Sequence, residues 1–264
     1  MNPSLKDQVY IISGAAGGLG STLAKRCAAA GARLVLTDRP GADLDGVWRR
    51  LEIDPDNVLL HPADIADAGT GRALAAAAHK RFGRLDGGVA CAGVIFFSPL
   101  LELPVEHWDT TMAVNLKGTF FFLQGLAREM VERGTRPGSL VAISASSANG
   151  PRPNNADYGA SKLAVEHVTR TFALELAPHG IRVNCVSPGI IPTPMWEKVD
   201  RDRGALLGLK EGELTEKMID AVPMGRLGET DEIAAAIHYF LSNDSQFTTG
   251  QVLGVDGGWS LAHA

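Results

Sequence analysis

The sequence is poor in cysteine and holds no cysteine pair with the spacing of a redox or metal motif. Its 264 residues include three cysteines, Cys27, Cys91 and Cys185, an odd number scattered along the chain. This usage argues against the disulfide framework of a secreted domain, and it favours a reducing, cytoplasmic location. The seven histidines are also dispersed, and no two have the spacing of metal ligands, so we expect no metal site.

Long apolar runs and a strong net charge are missing as well. No apolar stretch approaches the roughly 20 residues that span a bilayer, and the polar residues 1–8 have no signal-peptide core. The net charge of −5 is mild and provides no basic surface for nucleic acid or for an anionic membrane. We therefore expect neither as a partner. The remaining composition, 45% hydrophobic and 21% charged, is that of an ordinary globular protein.

Short apolar, β-rich runs alternate with helical patterns along the whole chain. The predicted strands cover residues 9–12, 33–37, 57–62, 85–91, 138–144, 181–186 and 251–255, and the predicted helices include 66–82, 103–132 and 229–241. Strands that alternate with helices form parallel sheets with right-handed crossovers. Because no linker or repeat divides the chain, residues 1–264 are expected to form one α/β domain with a doubly wound sheet.

A glycine-rich turn follows the first predicted strand. Gly14, Gly18 and Gly20 have the spacing GxxxGxG, and a helical pattern begins directly after them. Bare backbone can approach a pyrophosphate closely, and the N-terminus of the next helix supplies N–H groups and a positive dipole. The position between a strand and a helix favours a phosphate cradle over a plain glycine turn without a ligand.

An acidic residue ends the second predicted strand. Asp38 lies 24 residues after Gly14, near the roughly 20 expected for the carboxylate that binds an adenosine ribose. Such a carboxylate accepts hydrogen bonds from both ribose hydroxyls of NAD and repels the 2′-phosphate of NADP. Asp38 therefore predicts NAD, although the neighbouring Arg39 could bind that phosphate instead. A plain aspartate at a strand end is the alternative without a ligand.

Tyr158 and Lys162 are four residues apart at the start of a helical pattern, so both side chains are expected on one helix face. A free tyrosine has a pKa of about 10. An ammonium within about 4–6 Å favours the phenolate and lowers that pKa. The pair can therefore act as a proton-transfer device, although such pairs also occur by chance on surface helices.

Asn115 lies inside the apolar helical pattern of residues 103–132. Asparagine is disfavoured there because its amide must find hydrogen-bond partners. The position indicates either a functional polar role or a satisfied hydrogen bond in the core.

Residues 190–228 form the only long stretch without clear strand periodicity. A segment of this length in a compact domain is usually a lid or a binding element. We therefore expect residues 190–228 to be a lid over the substrate.

In this order and spacing, these pieces resemble the short-chain dehydrogenase/reductase family over nearly the whole chain. The motifs that carry the resemblance are the glycine turn, Asp38, Asp64-Ile65, Asn115, Tyr158 with Lys162, and Pro188-Gly189 with Thr193. The resemblance implies a seven-stranded Rossmann sheet, a nicotinamide cofactor and a homotetramer or homodimer packed through the long fourth and fifth helices.

The resemblance also implies a role for each matching residue. Tyr158 would be the general acid/base, and Lys162 would lower its pKa and bind the nicotinamide ribose. Asn115 would hold a water that links Lys162 to solvent. The implied cofactor contacts are Gly14, Gly18, Leu19, Gly20, Asp38, Asp64, Ile65, Ala92, Gly93, Tyr158, Lys162, Pro188, Gly189, Ile191 and Thr193.

Two positions depart from the family pattern. Where members usually carry Asn-Asn-Ala-Gly, residues 90–93 are Ala-Cys-Ala-Gly. Cys91 cannot make the hydrogen bonds of an amide, so the central strand must be supported differently there. The usual catalytic serine, 13 residues before the tyrosine, is replaced by Ala145.

Serines flank Ala145 on both sides. Ser144 is expected to stay in the strand ladder with its hydroxyl packed in the sheet, whereas Ser146 lies in the turn, where a bulge could bring it to the cofactor. We therefore interpret Ser146 as the replacement, with Ser144 as the second candidate. The alternative is that these serines only form the turn.

These implications predict an NAD-dependent oxidoreductase that interconverts a secondary alcohol and a ketone. Residues 193–200 are similar to members that act on polyols, sugars or small hydroxyketones such as acetoin. Phe96, Phe97 and Trp196 leave open a pocket for a larger apolar alcohol or a steroid. A further alternative, supported only by the missing serine, is an NAD-binding scaffold or sensor without turnover.

Overall fold

The computed structural model describes residues 4–262, and this part of the chain contains one seven-stranded sheet. The strands are β1 (Val9–Ser13), β2 (Arg33–Thr37), β3 (Val58–Leu60), β4 (Gly87–Ala90), β5 (Gly138–Ile143), β6 (Ile181–Pro188) and β7 (Val252–Val255). Their order is β3-β2-β1-β4-β5-β6-β7, and neighbouring strands are parallel. This doubly wound order confirms the predicted Rossmann fold.

Helices connect the strands and cover both faces of the sheet. They are α1 (Gly18–Ala29), α2 (Leu44–Arg49), α3 (Thr70–Phe82), α4 (Val105–Thr111), α5 (Thr119–Glu132), α6 (Ala156–Leu176), α7 (Pro194–Leu206), α8 (Glu213–Ala221), α9 (Thr230–Leu241) and α10 (Trp259–Ala262). None of those described between residues 4 and 262 is long and apolar enough to cross a membrane.

Each face of the sheet has its own hydrophobic core, because successive strand residues point to opposite sides. Tyr10 and Ile12 pack in one cluster with α1 and α9. Val9 and Ile11 pack in the other with α3, α5 and α6. Burial on both faces explains why the strands read as continuous apolar runs rather than as alternating patterns.

The structure corrects the prediction of one continuous helix over residues 103–132. A π-helical segment, Met112–Gly118, separates α4 from α5, and Asn115 lies inside it. Residues 190–228, for which the sequence predicted only a lid, hold α7 and α8. The predicted helix 66–82 begins later, at Thr70, after an Asp64–Asp67 turn.

Candidate functional site

The predicted site residues meet at the carboxyl ends of the strands. Gly14 follows β1, Asp38 follows β2, and Ala92 and Gly93 come shortly after β4. Ser146 comes shortly after β5 in the same way. Because parallel strands end at one edge of a sheet, the fold brings these residues together from distant parts of the sequence.

The glycine turn is sterically required in this packing. Gly14 has φ +66°, and a Cβ there would lie 2.7 Å from the backbone nitrogen of Ala92. A Cβ on Gly20 would clash with the backbone of Gly14, and one on Gly18 would lie 2.9 Å from Cγ2 of Thr193. Among the residues that the structure describes, no side chain caps the N-terminus of α1. The turn therefore leaves bare backbone and a helix dipole free for an anion, which fits the pyrophosphate of a dinucleotide.

Asp38 is tied to this turn through its carboxylate. Oδ2 accepts a hydrogen bond from the backbone N–H of Ala16 at 2.9 Å, and Oδ1 accepts one from that of Arg39 at 2.8 Å. The side chain is only partly buried. Each carboxylate oxygen keeps lone pairs for a further donor, which fits a ribose diol.

The predicted adenine contacts lie beside the edge strand. Asp64 is exposed, and its Oδ1 accepts from the backbone N–H of Ala66 at 2.9 Å. Ile65 is buried, and its carbonyl oxygen lies 2.9 Å from where a Cβ on Gly118 would stand. Leu19, in the first turn of α1, is partly buried against the core between the sheet and α1.

A serine contacts the backbone around Cys91, where family members usually carry an asparagine. Ser13 donates its hydroxyl to the carbonyl of Val89 at 3.5 Å and accepts from the N–H of Ala92 at 3.4 Å. A serine of β1 thus bridges to the segment that contains Cys91. Burial raises the pKa of the Cys91 thiol to about 12, so this cysteine stays protonated and unreactive at neutral pH.

Asn115 is fully buried and clasps the backbone of Val94. Its Oδ1 accepts from the N–H of Val94 at 2.8 Å, and its Nδ2 donates to the carbonyl of Val94 at 2.9 Å and to Oγ of Ser161 at 3.2 Å. A Cβ on Gly93 would lie 3.4 Å from Asn115 Oδ1 and 3.6 Å from Lys162 Nζ. Asn115 therefore makes the core hydrogen bonds that the sequence left open, next to Lys162.

Tyr158 and Lys162 lie on one face of α6 in a buried setting. Lys162 Nζ donates to the carbonyl of Ile143 at 2.9 Å and lies 5.6 Å from the centre of the Tyr158 ring. Burial raises the pKa of Tyr158 to about 12 and lowers the pKa of Lys162 to about 8. Burial thus sets the direction of the pKa shift of Tyr158 in the free protein, and the expected lowering of this pKa by Lys162 stays a prediction.

The two serines beside Ala145 have different surroundings. Ser144 is buried, its N–H still bonds to Val186 of β6, and its hydroxyl donates to Glu166 Oε1 at 2.9 Å. Ser146 starts a short 3₁₀ turn after the extended Ala145 and is 8% exposed. Within residues 4–262, the Ser146 hydroxyl forms no hydrogen bond.

The predicted nicotinamide contacts follow β6. Pro188 ends the strand beside Val255 of β7, and a Cβ on Gly189 would lie 2.6 Å from Cα of Asp256. Ile191 is partly buried, and a Cβ on Gly228 would lie 2.6 Å from its Cδ1. Thr193 caps α7 by accepting from the N–H of Trp196 at 3.4 Å. The side chain of Thr193 also lies close to Gly18, so the start of α7 packs against the glycine turn.

An apolar wall packs against the partly buried side chain of Tyr158. Ile95, Val199 and Leu214 form a small core, against which Phe97, Trp196 and the Tyr158 ring pack. The sequence pointed to Phe97 and Trp196 but not to Ile95 or Leu214, whose apolar character resembles that of any core residue. Only the packing of α7 and α8 beside α6 brings them together.

Comparisons with known proteins cover nearly the whole chain. A family model described as enoyl-(acyl carrier protein) reductase matches residues 14–260. The chain is 33% identical over 254 residues to the 3-oxoacyl-(acyl-carrier-protein) reductase of Thermotoga maritima, which covers 96% of this chain and 98% of that protein. It is 35% identical over 258 residues to the L-rhamnose 1-dehydrogenase (NAD(P)(+)) of Azotobacter vinelandii, covering 96% and 97%.

A solved structure shows the same architecture. A gluconate 5-dehydrogenase from Burkholderia cenocepacia, in complex with NADP and tartrate, has a TM-score of 0.86 and 31% identity to this chain. The similarity covers 98% of this chain and 97% of that one. It therefore concerns the complete fold rather than a single motif.

Proposed function

The chain belongs to the short-chain dehydrogenase/reductase family, and we propose that it is an NAD-dependent enzyme that interconverts a secondary alcohol and a ketone. The observation that carries this proposal is the buried Tyr158–Lys162 pair, which lies at the same sheet edge as the glycine turn. The test is an absorbance assay for reduced nicotinamide with NAD and a panel of secondary alcohols. No reduction with any alcohol would favour the alternative of a binding protein without turnover.

The cofactor supplies the hydride acceptor or donor when it is bound. The glycine turn and the N-terminus of α1 would hold its pyrophosphate, and Asp38 its adenosine ribose. Asp64 and Ile65 would contact the adenine. Residues 188–193 and Ala92-Gly93 would line the nicotinamide end.

The side chains of α6 move the proton. In alcohol oxidation, Tyr158 takes the hydroxyl proton, and in ketone reduction it returns one to the carbonyl oxygen. Lys162 stabilises the phenolate and binds the nicotinamide ribose. Asn115 holds the backbone of Val94 and would hold a water that links Lys162 to solvent. Ser146, whose hydroxyl has no partner within residues 4–262, donates a hydrogen bond to the substrate oxygen.

The substrate class we propose is a polyol, a sugar or a small hydroxyketone. The similarity of residues 193–200 to members acting on such compounds supports it, and two relatives are named for rhamnose and gluconate oxidation. The apolar wall of Ile95, Phe97 and Trp196 supports the second candidate, a larger apolar alcohol. We also propose a cytoplasmic homotetramer or homodimer. The two long helices between β4 and β6, expected to pack in that assembly, are α5 and α6 in this fold, and their exposed Val131, Leu163 and Leu174 support it.

NAD is expected to be preferred over NADP by at least about tenfold in kcat/KM, because a carboxylate facing a 2′-phosphate costs on the order of several kcal/mol. Asp38→Asn should narrow the gap, since it removes the charge and keeps an acceptor for the glycine turn. Steady-state kinetics with both cofactors measures this. Equal values in the wild type, or an NADP preference, would assign the phosphate to Arg39 and overturn the proposal.

Residues 190–228 are expected to close over the bound ligands as one unit. Asp200 joins α7 to α8, because its carboxylate accepts from Gly212 N–H at 2.6 Å and from Thr215 Oγ1 at 2.7 Å. Hydrogen exchange in this segment should slow when NAD and a substrate are added, while exchange in α3 stays constant. Unchanged exchange in both regions would identify a permanently packed subdomain instead of a lid.

A further inference from the structure

Two partly buried arginines have no acidic partner within the described residues 4–262. Arg152 lies in the loop between Ser146 and Tyr158, and Arg203 lies on α7. Both side chains are partly buried. Within residues 4–262, neither guanidinium takes part in an ion pair, and the buried Nε of Arg203 has no hydrogen-bond partner.

The positive charges of the two arginines act on each other. Burial lowers the pKa of both groups, and the charge of Arg203 lowers that of Arg152 further. Guanidinium groups nevertheless stay charged in proteins. Cations that are partly out of water and lack a carboxylate partner destabilise the free protein, and a bound anion would offset that cost.

An aromatic wall connects the arginines to the proposed catalytic tyrosine. The guanidinium of Arg152 lies 4.7 Å from the centre of the Trp259 ring. Trp259 is buried in a cluster against which Trp196 packs, and Trp196 also packs in the cluster that holds the Tyr158 ring. Arg203 follows Trp196 by seven residues on α7 and therefore lies on the same side of that helix. A ligand that extends from Tyr158 along this wall therefore ends beside Arg152 and this side of α7.

Arg201 provides a contrast on the same helix. It is exposed, and its Nε donates to Asp202 at 3.0 Å. The exposed arginine is thus paired with a carboxylate, whereas within residues 4–262 the two partly buried arginines are not. Planar guanidinium groups bind carboxylates and phosphates through paired N–H donors.

We propose that Arg152 and Arg203 bind a negatively charged group of the substrate, so that the preferred alcohol or ketone carries a carboxylate or a phosphate at the end remote from the reacting carbon. This inference rests on the proposed function for the reaction, but the anion site itself does not depend on turnover. It narrows the polyol and sugar class to sugar acids or sugar phosphates.

Three compounds with one carbon skeleton test the charge. Sorbitol is neutral, gluconate carries a carboxylate, and sorbitol 6-phosphate carries a phosphate. At least one of the anions should exceed sorbitol in kcat/KM by about tenfold or more, the range of a charge-assisted hydrogen-bonded contact. The better of the two anions distinguishes a carboxylate site from a phosphate site.

Glutamine variants of three arginines test whether the preference for an anion depends on Arg152 and Arg203. Arg152→Gln and Arg203→Gln should each raise KM for the preferred anion by about tenfold, with a smaller change in kcat and little change for sorbitol. Arg201→Gln removes the same charge from the same helix and should leave all three compounds unaffected. An equal loss with all three variants would show a general effect of net charge and overturn the proposal.

Calorimetric titration of the NADH complex with the anion measures binding without turnover, because NADH cannot oxidise an alcohol. It therefore tests the anion site separately from the proposed enzymatic function. Binding of the anion that is lost in Arg152→Gln and Arg203→Gln but kept in Arg201→Gln supports the site, even if no turnover is found. In that outcome the proposed function fails while the anion site stands. Turnover of neutral alcohols together with anion binding that is absent, or unchanged by either variant, would retain the function and reject the site.

Discussion

Tyr158→Phe is expected to lower kcat by about 10²–10⁴-fold, the usual contribution of positioned acid–base catalysis, with NADH affinity nearly unchanged. The phenylalanine ring still packs against the Ile95, Val199 and Leu214 cluster, so the fold should persist. The change removes the phenol hydroxyl beside Lys162, which we propose exchanges a proton with the substrate. Steady-state kinetics and a fluorescence titration with NADH measure the two effects separately.

Tyr10→Phe is the matched control. It also removes a buried phenol hydroxyl, which bonds to Gln8 Oε1 at 2.8 Å and to the carbonyl of Leu241 at 3.1 Å on the first strand. This change should lower thermal stability without affecting kcat. Lys162→Met should damage both cofactor affinity and turnover. If Tyr158→Phe kept most of its kcat, the assignment of the general acid/base would be wrong.

The pH dependence follows from the same two groups. Alcohol oxidation needs the unprotonated phenol, and burial raises the pKa of Tyr158 to about 12. The phenolate fraction, and with it the oxidation rate, should therefore rise with pH, whereas ketone reduction should fall. Burial lowers the pKa of Lys162 to about 8, so its ammonium is lost as pH rises through that value and opposes the gain in oxidation. Measuring kcat/KM against pH for alcohol oxidation and for ketone reduction tests these trends. In Tyr158→Phe the rise of the oxidation rate with pH should be absent.

The fold could be predicted because the alternation of strand-like and helix-like segments is visible in short stretches of sequence. Each strand is an apolar run buried on both faces, and each crossover leaves a helical pattern between two such runs. The glycine turn was equally readable, because only glycine fits at Gly14 and Gly20. The π-helical segment around Asn115 could not be predicted in this way, and the hydrogen bonds of Asn115 reach Val94, 21 residues earlier, a contact that no local pattern reports.

Other properties of the site arise only when distant segments meet. The pKa of Tyr158 is raised rather than lowered because α7 and α8 bury it, and no spacing in the sequence reports that burial. The contact of Arg152 with the ring of Trp259 likewise joins a loop to a helix more than 100 residues later. The substitute for the missing asparagine, Ser13, lies on a different strand from Cys91.

Substitutions of the two serines beside Ala145 are expected to have different effects, one on turnover and the other on thermal stability. Ser146→Ala should lower kcat by at least about tenfold, and by up to about 10²–10³-fold if its hydroxyl is the sole donor to the developing alkoxide. Cofactor affinity and thermal stability should change little, because the Ser146 hydroxyl bonds to no other group within residues 4–262. Kinetics and thermal denaturation of the same preparation test both statements.

Ser144→Ala should give the opposite result. Its hydroxyl donates to Glu166 Oε1 at 2.9 Å and to the carbonyl of Lys162 at 3.2 Å, joining β5 to α6. Removing it leaves the buried Glu166 carboxylate without that donor, at a cost of about 1–3 kcal/mol. For a domain of this size that corresponds to a fall in melting temperature of roughly 2–12 °C, with a much smaller effect on kcat.

The two results together decide which serine contacts the substrate. A serine that binds the substrate oxygen affects the transition state and leaves the resting fold alone, whereas a serine that anchors α6 affects the fold first. If Ser144→Ala reduced kcat strongly while Ser146→Ala did not, the donor would be Ser144, and the Glu166 bond would have to break during each turnover. If neither change reduced kcat, the oxyanion would depend on Asn115, a water or another group of the pocket, and the alternative of a cofactor-binding protein without turnover would gain support.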